Sequence, residues 1–344
     1  MTQNSNPPQL IEVSTIRVIA TISVVAVHSL CYYGIWDSFF GNHTIQIYKT
    51  IATWGNYINM SLFVFIAGVV YKFGLDKGKY YNSLSFIRKK TQRLMIPYLF
   101  WGLVQSFLFS EYVEFIPFKS FLPNSSFLHL WFLEMLFVVF VIALITKKIW
   151  DSENKKIVIL FSGIALFILM LLRWVPNYCN LRNALLYYPV FLLGIYTVKY
   201  DLAKRINKRC CSLLLCITTL GAVQLTLKPY TPYTWILSIL FSGSLVLLFY
   251  KGVLVCVQKF PAPSFIGKVD NNSMGIYIIH HILIWCSIIY LPGFERFAIS
   301  HNILVPVVLC LASFFCALLL TMVFRKNKYS LVSGENFSDK VLTV

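Results

Sequence analysis

Charge is what this chain has least of. Only 12% of its 344 residues are Asp, Glu, Lys or Arg, roughly half the ~25% of an ordinary soluble domain, whereas 58% are hydrophobic. Acids are scarcest: 13 Asp and Glu stand against 30 Lys and Arg, for a net charge of +17. No basic soluble region and no recognition motif accompanies that charge, so nucleic-acid binding is not its explanation. The nine Cys form an odd set without CxxC pairs or metal-ligand spacing, which excludes a disulfide framework and reads as small apolar residues; no metal is expected. The opening MTQNSNPPQLIE lacks a basic region and a small-residue cleavage site, so a removed signal peptide is not expected. There is no internal repeat and no second soluble domain. What remains is a mean hydropathy of +0.70, the signature of an all-α, polytopic integral membrane protein.

Apolar windows fall at about 13–34, 50–71, 94–111, 126–146, 157–174, 184–199, 210–227, 234–250, 273–291 and 303–324, most of them long enough to cross roughly 30 Å of hydrocarbon. About ten transmembrane helices are predicted, which puts both termini on one side. Loop charge chooses the side: with a cytoplasmic N-terminus the inner segments hold 23 Lys/Arg and the outer ones six, the bias of the positive-inside rule. The expected organisation is a cytoplasmic segment 1–12, a membrane domain 13–324 and a polar cytoplasmic tail 325–344 without apolar periodicity.

Against this background the polar residues inside spans stand out, because ionisable groups are expensive in lipid and usually face a protein interior or a cavity. Arg17 and His28 lie in the first window. Eleven residue steps make about three helical turns, so the two share one face about 16 Å apart. Glu134 sits deep in the fourth window and could pair with Arg17 or His28, as a structural ion pair or as a group orienting the imidazole. In the ninth window Ser273, Tyr277, His280 and His281 bring one His onto the Ser and Tyr face, as a hydrogen-bonding stripe or as part of a site. Asn59 belongs to a polar set in the outer half of the second window, for packing or for lining a cavity. His129 and Trp131 open the fourth window at its outer end, where aromatic belts form. Arg88, Lys89, Lys90 and Arg93 cluster at the inner end of the third, either anchoring the chain beside anionic headgroups or holding phosphates of a cytoplasmic ligand.

Taken in order, these stretches resemble the acyltransferase-3 family of integral membrane acyltransferases that modify bacterial surface polysaccharides. The resemblance rests on Arg17 and His28 ten residues apart, MSLFVFIAG in the second helix, Lys90 and Arg93 ahead of Pro97, HLWFL in the fourth helix, YYPVFLLGIY in the sixth and NSMGIYIIH in the ninth. Ala67 stands where the family usually has Ser, Ser14 where members often carry an acid, and Lys90 where the family has Arg; Lys keeps the charge but not the planar fork. The resemblance implies a ten-helix fold, in the bacterial cytoplasmic (inner) membrane, and O-acyl transfer, most simply of acetyl from acetyl-CoA, to a hydroxyl of a cell-surface polysaccharide or lipid-linked glycan. On that basis His28 is the expected general base, Arg17 binds the CoA end, Glu134 orients His28 or balances Arg17, and Arg88, Lys89, Lys90 and Arg93 hold phosphate. His129, Trp131, Tyr277, His280 and Asn59 are the expected acceptor contacts. Two other classes fit a polytopic chain: a secondary transporter with Arg17, His28 and Glu134 as its intramembrane site, which should show inverted repeats, and a glycan polymerase using a lipid-diphosphate donor, which should have large outer loops.

Overall fold

A computed structural model describes residues 11–36, 43–80, 82–111, 127–227, 232–261, 263–326 and 331–334. The N-terminal segment up to residue 10 and most of the tail, which the sequence reads as cytoplasmic and polar, lie outside these, as do the loop cations Lys119 and Lys228. Among the described residues all regular structure is helical: α1 (Ile11–Cys31), α2 (Gln46–Asp76), α3 (Ser83–Lys90), α4 (Ile96–Leu108), α5 (Trp131–Ile145), α6 (Lys147–Trp150), α7 (Lys155–Leu171), α8 (Leu181–Lys199), α9 (Leu202–Arg205), α10 (Lys208–Leu227), α11 (Pro232–Lys259), α12 (Ser264–Asp270), α13 (Ser273–Tyr290), α14 (Phe294–Ser300) and α15 (Leu304–Lys326).

Each of the ten predicted windows overlaps one of these helices, and among the described residues seven segments are long and apolar enough to span a bilayer. Helix α4 is short on its own. It has only 13 residues because Pro97 interrupts a longer helical run. Pro97 has no N–H, and its ring would meet the carbonyl four residues back, that of Arg93. The chain widens there into a π-turn, Thr91–Met95, which joins α3 to α4 without a break. Asn82 caps the start of this run by accepting hydrogen bonds from the Leu84 and Ser85 amides, partners that a helix N-terminus otherwise lacks.

Large apolar side chains are left exposed along the long helices, among them Phe107 (85%), Ile159 (71%) and Leu319 (61%). In water such surfaces would be a liability; on spans of this hydropathy they are the lipid-facing side. The chain is a multi-pass membrane protein.

Two compact units divide it, one formed by residues 1–59 and 252–344, the other by 60–251, with the boundaries falling inside α2 and α11. In the first unit α1, α13 and α15 pack on one another and α12 lies against α1. Gly275 permits the close approach of α13 to α15, where a Cβ would collide with the Thr321 side chain. Gly55 does the same for α2 against Val27 of α1, beside a cluster of Val27, Cys31 and Ala52 with Trp36 packed on it. In the second unit α2 and α8 cross backbone to backbone at Gly68 and Gly194, each glycine facing the opposing helix's main chain, the small-residue packing that membrane helices use. Its core is aromatic, with Tyr71 in ring contact with Phe86, Phe140, Trp150 and Phe191, and the Trp150 indole donates to the Ala143 carbonyl at 2.9 Å.

Candidate active site

The first unit gathers the polar residues of α1 and α13 into two levels. At one level the Arg17 guanidinium donates to Asp270 Oδ1 at 2.6 Å, and Ser14 donates its hydroxyl to Asp270 Oδ2 at 2.7 Å. Both carboxylate oxygens are thus engaged, and the pair is partly sheltered, with side-chain exposures of 26% for Arg17 and 11% for Asp270. Asp270 ends α12, and the joint to α13 is fixed from two sides. The Asn272 amide donates to the Lys268 carbonyl at 2.7 Å, and Arg325 of α15 donates to the Asn271 carbonyl at 2.6 Å.

At the second level, about three turns along α1, His28 Nδ1 lies 2.8 Å from His280 Nε2. The ring centroids are 5.0 Å apart and the planes differ by 5°; with the nitrogens this close, the rings meet edge to edge in one plane, the arrangement of a linear hydrogen bond. His281 comes edge-on to His28 at a centroid distance of 5.0 Å. Trp36 closes on both, 5.7 Å from His28 and 5.5 Å from His281, and Trp285 lies 5.9 Å from His281. His28, His280 and His281 are all buried. The two levels are joined by helices running in the same direction, because Arg17 pairs with Asp270 and His28 with His280. Asp270 and His281 are also separated by ten residues, so α1 and the α12–α13 run present the same spacing to each other.

The sequence singled out Arg17, His28 and His280; the structure pairs His28 with His280 and places Arg17 about three turns away on α1, paired with Asp270. The sequence did not single out Asp270 or Trp36. The repeated ten-residue spacing was the available signal for Asp270: an acid is rare in this chain, and this one stands at the same interval before an intramembrane His. Tyr277 lies on the same helix face as His280, its ring centroid 6.1 Å away. Asn59 also belongs to this unit, nearly fully buried at 1% exposure, and neither its Oδ1 nor its Nδ2 has a hydrogen-bond partner among the described residues. Such a group forfeits the hydration it had in water, and a ligand's polar atoms would compensate it.

The remaining expected residues belong to the second unit. Glu134 is buried on α5 and accepts a hydrogen bond from the Asn180 amide, whose own Oδ1 accepts from Asn183 at 3.0 Å. Asn180 adopts a left-handed backbone conformation just before α8, one that Asn tolerates; this turns its side chain away from the regular helix direction. Glu134 is therefore tied to the entry of α8. In the first unit Arg17 hydrogen-bonds to Asp270 and His28 to His280. His129 is buried in a short 3₁₀ turn before α5 rather than lying exposed at an interface, and Trp131 is within ring contact of Phe132 and Tyr187. In the basic cluster Arg88 and Lys89 are exposed and Arg93 is half-buried. Lys90 differs: its ammonium sits 4.1 Å from the Phe140 ring centroid and 5.3 Å from that of Phe86, a cation–π contact that holds it against the rings. Among the described residues no group of three or more His, Cys, Asp or Glu side chains is arranged to hold a metal ion.

The site therefore offers a hydrogen-bonded imidazole in a buried aromatic setting, aligned along one helix face with a guanidinium. Imidazole can take up and return a proton, and the guanidinium offers N–H donors beyond the one that Asp270 engages. Comparison with protein families gives a match to the model of an acyltransferase domain, the third acyltransferase family of that description, over residues 10–322. Neither curated proteins nor solved structures give a significant match.

Proposed function

The chain belongs to the acyltransferase-3 family, and from that premise we propose that it moves an acetyl group from cytoplasmic acetyl-CoA to a hydroxyl of a cell-surface polysaccharide or lipid-linked glycan, with His28 as general base. The observation that carries this reading is the buried His28–His280 pair on the helix face that also bears Arg17. In the reaction, His28 takes the proton of the acceptor hydroxyl as that oxygen attacks the thioester carbonyl. The new C–O bond forms, the C–S bond breaks, and the CoA thiolate recovers the proton from His28, leaving an ester and free CoA. General-base assistance of this kind contributes about 10²- to 10⁴-fold.

The flanking residues divide by chemistry. Arg17, oriented by Asp270 and Ser14, meets the donor's phosphates or pantetheine arm with its remaining N–H groups. The exposed Arg88 and Lys89, together with Arg93, supply charge-assisted contacts to phosphate, and Lys90 adds less because its ammonium rests on two aromatic rings. Asn59, whose buried amide has no hydrogen-bond partner among the described residues, suits a polar atom of the acceptor or of the acyl group. Tyr277, His129 and Trp131 are the further acceptor contacts, stacking on sugar faces or hydrogen-bonding to hydroxyls. Glu134 acts through Asn180 in holding the start of α8. The setting is the bacterial cytoplasmic membrane with both termini inside, the orientation that the loop charges favour.

The test in cells is direct. Replacing His28 with Ala should abolish glycan acylation at unchanged protein abundance, whereas acylation at the wild-type level would eliminate His28 as the base.

A further inference from the structure

The two nitrogens of His28 are not equivalent, and a chain of hydrogen bonds decides which of them holds the proton. The chain starts at a main-chain carbonyl: the Ile276 oxygen lies 2.9 Å from His280 Nδ1. A carbonyl only accepts, so His280 carries its proton on Nδ1 and, as a neutral ring, has its lone pair on Nε2. That lone pair faces His28 Nδ1 at 2.8 Å, in the common plane of the two rings. Two facing lone pairs would repel, so the proton of this second contact belongs to His28 Nδ1. The lone pair of His28 is then on Nε2.

We propose that His280 is a positioning residue that holds His28 as its Nδ1–H tautomer, so that Nε2 is the atom that receives the acceptor's proton. The proposal deepens the acyl-transfer reading of this site and rests on it for the identity of the proton donor. A buried histidine base is commonly held in the required tautomer by a carboxylate on its other nitrogen. Here a second histidine, itself set by a backbone carbonyl, does that work. Its acceptor strength is lower than that of a carboxylate, but it brings no charge into a span where charge is expensive. When His28 becomes an imidazolium after taking the proton, its Nδ1–H still donates to His280 Nε2, and the bond becomes charge-assisted and stronger. The relay thus favours the protonated form that the transfer step creates. Its geometry depends on α13 keeping a regular turn between Ile276 and His280, because the carbonyl that sets the relay is four residues back on the same helix.

The experiment has a spectroscopic and a kinetic arm, both on the full chain in lipid. Nitrogen-15 histidine labelling reports which nitrogen of each ring is protonated, and six His residues make assignment by single substitution feasible. The expected wild-type result is a protonated Nδ1 and an unprotonated Nε2 on His28. In His280→Leu, which keeps bulk but removes the acceptor, a substantial Nε2–H population should emerge on His28; in His280→Gln, whose Oε1 can accept the same hydrogen bond, the Nδ1–H form should persist. In acetyl transfer, His280→Leu should lower kcat by about 10²-fold, within the range that general-base catalysis supplies, with the KM for acetyl-CoA unchanged, and His280→Gln should recover most of the loss. A wild-type His28 with its proton on Nε2, or a His280 ring protonated on both nitrogens, would overturn the proposal without any variant being needed. So would a His280→Leu protein of unchanged tautomer or unchanged kcat. If no acyl transfer is found with any donor while the tautomer arm gives the expected result, the acyl-transfer reading fails and the His280 relay stands.

Discussion

Asp270 lets the site be probed through stability before any substrate is known. Its carboxylate is held by Arg17 at 2.6 Å and by Ser14 at 2.7 Å, with the two charged side chains 26% and 11% exposed. For charge centres ~4 Å apart at an effective dielectric of ~20, the gross attraction is about 4 kcal/mol. Lost hydration and side-chain ordering offset much of that, leaving the ~1.5 to 3 kcal/mol typical of a hydrogen bond to a charged group. Asp270→Asn removes the charge but keeps the shape and leaves Arg17 half-sheltered without a counter-ion; it should cost about 2 kcal/mol. Arg17→Gln should cost a similar amount. The double variant should cost clearly less than the two together, by about 1 to 2 kcal/mol, because the second change relieves the penalty of the first. The assay is reversible unfolding in mixed micelles titrated with denaturing detergent, run as a double-mutant cycle. Costs that add to within about 0.5 kcal/mol would refute the pair as an energetic unit, and Arg17 would then be anchored by something other than Asp270.

Two further outcomes follow from the packing and the charges. Gly194→Leu drives a side chain into the Phe65 carbonyl of α2, a backbone atom that cannot rotate away; it should destabilise the fold by at least the ~1 to 3 kcal/mol of an overpacked core, read as a lower unfolding midpoint and lower membrane abundance. Lys90→Met keeps the stem over Phe86 and Phe140 and should cost about 1 kcal/mol of stability with little change in the KM for acetyl-CoA, whereas Arg88→Ala with Lys89→Ala should raise that KM several-fold and leave stability unaltered.

The helices were legible because burial in lipid needs only a long apolar run: each of the ten windows holds a helix, and among the described residues seven segments are long and apolar enough to span. What a hydropathy window cannot show is a break caused by one residue. Pro97 turns the third window into α3, a π-turn and a short α4, and the basic cluster is thereby split between a helix and a wide turn. The site was half legible for a related reason. Arg17 and His28 are visible as misplaced polar residues on one helix, a local property, and so is the His pair of α13. Their partners are not local: Asp270 lies 253 residues from Arg17, and His280 lies 252 from His28. Glu134 could be read as needing a partner, but Asn180 reaches it from a left-handed turn that no periodicity signals. Charge left Lys90 open between a headgroup anchor and a phosphate ligand, and its cation–π contact could not be read from sequence because the rings of Phe86 and Phe140 meet only in the packed second unit.

The central claim is that this membrane domain transfers an acyl group using His28. The measurement closest to it is single-turnover transfer by the purified full chain in lipid, with acetyl-CoA labelled in the acetyl group and glycan or glycolipid acceptors, wild type against His28→Ala. The account predicts label appearing as an ester on the acceptor, one free CoA released per ester, and loss of both in His28→Ala. Label that never leaves CoA with any acceptor, in a preparation that instead accumulates a solute inside vesicles, would contradict it.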